Sequence, residues 1–254
     1  VDIFLDQIYV SLQAERRQQV TVTSKRQQMS ASKVTVQRQF GQGSKVATLE
    51  PDSVSEPVLE MERTELEVDT GSTKTVTEKV DLADVVRGSY ACSVILGAPG
   101  AGKTTLLKHL ALQFAKARRD NQDTVQGGTK QESLGQVRWP IYLRIADYAE
   151  RLESHPELSL LDYLKRFYRG WEDQFDIDDA SDLVTPLLNR MEQGQCLILL
   201  EGLDEVFDQN SRRKIVGCIN QFAEEFSHNK LIVTSRIAGY QEVKLASRFT
   251  EFTI

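Results

Sequence analysis

The sequence predicts an α/β fold, a three-layer sandwich with a mostly parallel sheet and helices on both faces. Three observations predict it. From residue 81 onward, short apolar runs alternate with stretches of helical period. The apolar runs are continuous, as strands buried on both faces require. Loop signals flank each of them.

Taken in order, the strand-like runs are Ala91–Leu96, Ile141–Ile145, Cys196–Leu200 and Leu231–Thr234, each four to six residues long. After Lys103, apolar residues recur at Leu106, Leu107, Leu110, Ala111, Phe114 and Ala115, one face of a helix. The same period returns at Leu160, Leu161, Leu164, Phe167 and Tyr168, and again at Ile215, Val216, Ile219, Phe222, Ala223 and Phe226. The pattern from Leu183 to Met191 contains Pro186, which sets a helix start near that residue, and Gly194 is placed to end it. A fifth strand is expected at Phe252-Thr253-Ile254. No repeat of 20 to 50 residues is present.

Residues 1–80 read as a polar lead-in or linker, and residues 81–254 as the folded domain. From Gln13 to Thr48 there are seven Lys/Arg and one acid; from Glu50 to Asp84 there are eleven acids against Arg63, Lys74 and Lys79. With Phe40 the only aromatic between residues 13 and 80, the segment has little apolar area to offset its ordering entropy. A solvated, partly stranded segment is expected rather than a basic arm for phosphates.

The 254 residues are 40% hydrophobic and 27% charged, near the averages of globular proteins, which excludes a collagenous or wholly disordered chain. The longest aliphatic run, Cys196–Leu200, is far short of the ~20 residues that cross a bilayer. A net charge of −6 argues against general attraction to nucleic acid. Trp139, Trp171 and the tyrosines do not interleave with basic residues as a base-stacking platform would. Three cysteines without ligand or CxxC spacing, Cys92, Cys196 and Cys218, fit core packing in a reducing, cytoplasmic setting. His109, His155 and His228 have no Ser or Cys at a spacing that suggests a triad. The start Val1-Asp2-Ile3, with neither Met nor a signal sequence, suggests a piece of a longer chain.

The strongest motif is Gly97-Ala98-Pro99-Gly100-Ala101-Gly102-Lys103-Thr104, a full match to GxxxxGK[ST]. Chance supplies such a match in about one chain in a hundred of this length, using average residue frequencies. Here it also lies between a buried-strand run and an amphipathic helix that opens with Thr105. Glycines let backbone N–H groups converge on phosphates, and the helix N-terminus adds partial positive charge. Lys103 would reach the β- and γ-phosphates, and the Thr104 hydroxyl would hold Mg²⁺. About a hundred residues later, Cys196–Leu200 runs directly into Glu201, Asp204 and Glu205. Carboxylates at the tip of a buried strand are costly unless a cation or water needs them there. Glu201 would sit near Mg²⁺, Glu205 would orient the attacking water, and Asp204 completes the acidic group. The run Lys230–Thr234 ends in Ser235 and Arg236, where an arginine would sense or stabilise γ-phosphate charge. Leu82, Val85 and Val86 are candidates for a base pocket and do not distinguish ATP from GTP.

Gly97–Thr104, Leu200-Glu201-Gly202-Leu203-Asp204-Glu205 and Thr234-Ser235-Arg236 together resemble a NACHT domain, the NTPase module of the STAND class of P-loop ATPases. Pro140-Ile141-Tyr142-Leu143-Arg144 is similar to the family's second strand, and Ile8–Leu12 to a short segment preceding the domain in bacterial members. The resemblance implies a P-loop NTPase fold over residues 81–254, with ATP and Mg²⁺ as ligands and slow hydrolysis. It further implies a nucleotide state that controls self-association of a larger NLR-like protein in immune or stress signalling, with protein partners. Glu201 departs from the family's usual Asp by one methylene. Two other classes stay open on the residues: a nucleotide-bound scaffold that does not hydrolyse, and a motor-type ATPase acting on nucleic acid.

Overall fold

The computed structural model describes residues 13–21, 36–38, 45–47, 73–127, 132–175 and 184–254. The chain divides into two compact units, one of Val1–Ala14 with Val80–Ile254 and one of Glu15–Lys79. Segment Ile8–Leu12, Phe40 and most of the lead-in lie outside the described residues.

In the smaller unit, β1 (Gln13–Thr21) neighbours β4 (Thr73–Asp81), and β2 (Val36–Arg38) pairs antiparallel with β3 (Lys45–Ala47). Arg16 of the basic run faces Glu78 of the acidic run at 4.0 Å. Opposite charges on neighbouring strands stabilise their pairing modestly.

In the larger unit, β4 leads into α1 (Leu82–Arg87), whose first turn is capped by the Asp81 carboxylate accepting from the Ala83 N–H. Then come β5 (Cys92–Leu96), α2 (Lys103–Arg119) and an antiparallel pair, β6 (Thr124–Gly127) and β7 (Glu132–Gln136). The chain continues through β8 (Trp139–Arg144), α3 (Ile145–Ser154), α4 (Leu160–Phe175) and α5 (Val184–Glu192). It ends with β9 (Cys196–Glu201), a 3-10 turn at Leu203–Glu205, α6 (Gln209–Glu225), β10 (Lys230–Ser235), α7 (Ile237–Glu242) and β11 (Phe249–Thr253).

Strands β11, β5, β10, β9 and β8 lie side by side in that order, and each neighbouring pair is parallel. Strands β5, β9 and β10 bury both faces in alternation. Val94, Ile198, Leu200 and Val233 point into a core shared with α3, α4 and α6, whereas Ile95, Leu197, Leu199 and Ile232 point into one shared with α1 and α2. The fold is therefore α/β with a mostly parallel sheet between helical layers. Ala14, fully buried, joins the second core.

The run read as Ile141–Ile145 ends one residue earlier as a strand. Ile145 is the first residue of α3 and is buried there with Tyr148 and Leu152. Helices α1 and α7, six residues each, are too short to show a period. The β6–β7 pair offers only Val125 and Leu134 to the core, too few apolar residues to alternate legibly. Among the described residues, no helix is long and apolar enough to cross a membrane.

Candidate functional site

The connections leaving β5 and β10 set the location of the site. These adjacent strands are in register from Cys92 and Leu231 to Leu96 and Ser235. After β5 the chain turns to α2 on one face; after β10 it turns to α7 on the other. Chains diverging from neighbouring parallel strands open a crevice at the strands' carboxyl ends, where open α/β sheets bind ligands. Gly97 and Arg236 follow those two tips directly. Glu201 ends β9 in register with Arg144 at the end of β8, so the same edge gathers all four.

The turn Gly97–Gly102 connects β5 to α2 through two glycines of positive φ, Gly100 at 78° and Gly102 at 84°. No heavy atom lies within 4 Å of where a Cβ on Gly100 would sit, so the loop there faces open space. Ala98, Pro99 and Gly100 are exposed, and Ala101 and Gly102 half-buried. Gly102 caps α2 without a side chain, and the first turn, which holds Lys103, Thr104 and Thr105, contains no acid. The amide dipoles at this end are thus left to favour an anion. Lys103 Nζ donates to the carbonyls of Gly97 at 2.8 Å and Ala98 at 2.9 Å, which holds the ammonium across the loop. Burial lowers its pKa; Asp204 opposes that shift and Arg236 adds to it.

Glu201 is buried, with 6% of its surface exposed. Its Oε1 accepts from the Thr104 hydroxyl and its Oε2 from the Tyr142 hydroxyl. Gly202, φ 79°, then reverses the chain into the 3-10 turn, and its N–H donates to Thr234 Oγ1 at 3.1 Å. That turn presents Asp204 and Glu205 on either side. Both Asp204 oxygens accept from Arg236, Oδ1 from the backbone N–H at 2.8 Å and Oδ2 from Nε at 2.9 Å. Glu205 faces Arg144 at 3.8 Å, and Arg144 also lies 3.4 Å from Asp147.

A family model described as Nephrocystin 3, N-terminal matches residues 71–236. The chain belongs to this family. No curated protein and no solved structure matches it. The matched stretch runs from just before β4 to Arg236 and so contains every residue of the edge described above.

In this family member the glycine-rich turn, Lys103, Thr104, Glu201, Asp204, Glu205 and Arg236 are assembled at one edge. Arg236 is directed onto Asp204, and so its guanidinium is already engaged within the protein. Of the three residues expected to line a base pocket, Val85 and Val86 are 0% and 5% exposed within the core around α2 and offer no open face to a base, and the Leu82 side chain lies outside the described ones. Three contributors escaped the sequence reading as site residues: Tyr142, Arg144 and Thr234. Their runs were legible as strands of the parallel sheet, but which neighbour each side chain meets depends on register.

The donor set suits a hard divalent cation held partly by its ligand. Thr104 and Glu201 supply oxygens side by side, and Mg²⁺ is commonly held by one or two protein oxygens plus substrate phosphates. Among the described residues, no group of three or more His, Cys, Asp or Glu is placed to cage a metal alone.

Proposed function

We propose that this member of the nephrocystin 3 N-terminal family is a Mg²⁺-dependent, slowly hydrolysing ATPase of the NACHT kind, whose nucleotide state governs self-association of a larger signalling protein. The observation that carries the reading is the convergence at one sheet edge of an anion-favouring helix N-terminus, Lys103, and a buried carboxylate bonded to the Thr104 hydroxyl. In this reading the backbone of Gly97–Gly102 wraps the phosphates, and Lys103 exchanges its carbonyl partners for phosphate oxygens. Bound Mg²⁺ supplies neutralisation of phosphate charge. Glu205, in the half-exposed turn, orients the water that attacks. Arg236, released from Asp204 by a competing phosphate, stabilises negative charge on it.

The reading also accounts for why two arginines are aligned with the two turn acids. Paired acids and arginines hold each other in place until a phosphate competes for the guanidinium. ATP is favoured over GTP only by the NACHT resemblance.

The test is nucleotide binding by calorimetry beside phosphate release on the purified chain. Lys103→Ala is expected to lose ATP binding. Glu205→Gln is expected to keep it and to release phosphate at a rate lower by about 10²-fold or more. Equal binding with no release in wild type or Glu205→Gln would replace the ATPase reading with a nucleotide-bound scaffold, and release stimulated by DNA would favour a motor.

A further inference from the structure

Glu201 is an uncommon carboxylate for its setting. It is nearly fully buried at a strand tip, yet among the described residues no cation pairs with it; two neutral hydroxyls, those of Thr104 and Tyr142, bond to it instead. A carboxylate whose two oxygens each accept from a hydroxyl orients those hydroxyls. The Thr104 proton is directed at Oε1, so the lone pairs of that hydroxyl are turned away from Glu201.

Tyr142 is well anchored for such work. Its ring packs against the core between the sheet and α2, and it lies opposite Leu199 in the β8–β9 pairing, two residues before the Arg144–Glu201 pair. Leu199 and Glu201 share a face because strand side chains alternate. Tyr142 and Glu201 therefore project to the same side, diagonal neighbours across adjacent strands, within reach of long side chains. Glutamate has one more rotatable bond than aspartate. Left alone, a carboxylate on that longer arm has more orientations available than one fixed on Thr104 requires.

We infer that Tyr142 is a positioning residue for the metal: by holding Glu201 Oε2 it fixes Oε1 on Thr104, which presents the Thr104 lone pairs to the nucleotide-bound Mg²⁺. The inference rests on the nucleotide-binding reading above and assigns the Tyr142 hydroxyl a role in the metal step alone. Outer partners of this kind typically change metal affinity by 10- to 100-fold when removed.

The experiment is calorimetric titration of ATP into the purified chain, first in excess EDTA and then over a series of Mg²⁺ concentrations. It is run on wild type, Tyr142→Phe, Glu201→Asp and the double variant. Tyr142→Phe is expected to keep the metal-free ATP affinity within about 2-fold, which also certifies its fold. The Mg²⁺ concentration for half-maximal enhancement should rise by about 10-fold. In the Glu201→Asp background, where the shorter arm withdraws from Tyr142, the added Tyr142→Phe is expected to change nothing further. A wild-type Mg²⁺ midpoint in Tyr142→Phe would overturn the inference while leaving nucleotide binding intact. So would an equal loss of metal-free affinity, or a full second effect in the double variant. Absence of ATP binding in wild type with or without Mg²⁺ would instead overturn the nucleotide reading and this inference together.

Discussion

Gly202 shows how much of the edge depends on one backbone conformation. Its φ of 79° lies in the left-handed region, where a side chain costs about 1–2 kcal/mol, and its N–H is tied to Thr234 of the neighbouring strand. A Cβ added there would lie 2.9 Å from Glu205 Cδ. That contact is with a flexible side chain, so the expected response is displacement of the Glu205 carboxylate rather than unfolding. Gly202→Ala should therefore lose about 1–2 kcal/mol in urea denaturation. Phosphate release, measured where both proteins are folded, should fall by more than ATP binding does. Wild-type release from the variant would mean that the position of Glu205 is immaterial. The acids themselves were legible, since three carboxylates follow four aliphatics in Leu197–Glu205. Their partners were not. Arg236 reaches Asp204 and Arg144 reaches Glu205 across strands separated by tens of residues, and only the register of β8, β9 and β10 brings them together.

At the scale of elements, the sheet's opposite end is held by a side chain that the sequence did not advertise. Asn229, 2% exposed, precedes β10. Its Oδ1 accepts from the Cys196 N–H at 2.9 Å, and its Nδ2 donates to the carbonyls of Met191 at 2.8 Å and Phe226 at 3.1 Å. One amide thus joins the last turn of α5, the residue just past α6 and the first residue of β9. Asn229→Ala would leave these buried groups without that partner, at an expected cost of about 2–4 kcal/mol in urea denaturation. Because the bond lies at the other end of β9 from Glu201, ATP affinity of the folded variant should stay within about 2-fold of wild type. A cost below about 0.5 kcal/mol would show that the bridge contributes little. The parallel strands and long helices were readable because burial on both faces or along one stripe imposes a period on many residues. Asn229 follows no period, and a polar residue between an apolar helix and an apolar strand reads as an ordinary loop. The same limit hid α1, α7 and the β6–β7 pair.

Across the whole molecule the two ends of the sheet differ in how they treat charge. The carboxyl ends of β8, β9 and β10 carry two arginine–carboxylate pairs beside the crevice, whereas the amino end of β10 buries a lysine. Lys230, at the start of β10, is 5% exposed, and its Nζ donates to the Gly88 carbonyl at 3.0 Å, just past α1. Burial pushes its pKa down from 10.5 to about 8; nearby Arg138 adds to the shift and Cys92 opposes it. In the unfolded chain the ammonium keeps its ordinary pKa. Below about pH 8 both states hold the proton and the burial penalty is constant. Between about pH 8 and 10.5 the folded chain has released a proton that the unfolded chain still binds, so the contribution of Lys230 to stability rises with pH across that window. Lys230→Met removes the titration but keeps most of the volume, and subtracting its stability from that of wild type cancels other groups that titrate in both. The difference, measured by urea denaturation at a series of pH values, should be flat from pH 6 to 7.5. It should then move in favour of wild type up to about pH 10.5, provided each transition is reversible and two-state. A difference that stays level through pH 10 would mean that the ammonium remains protonated in the fold, and hence that Gly88 and surrounding water solvate it better than its burial implies.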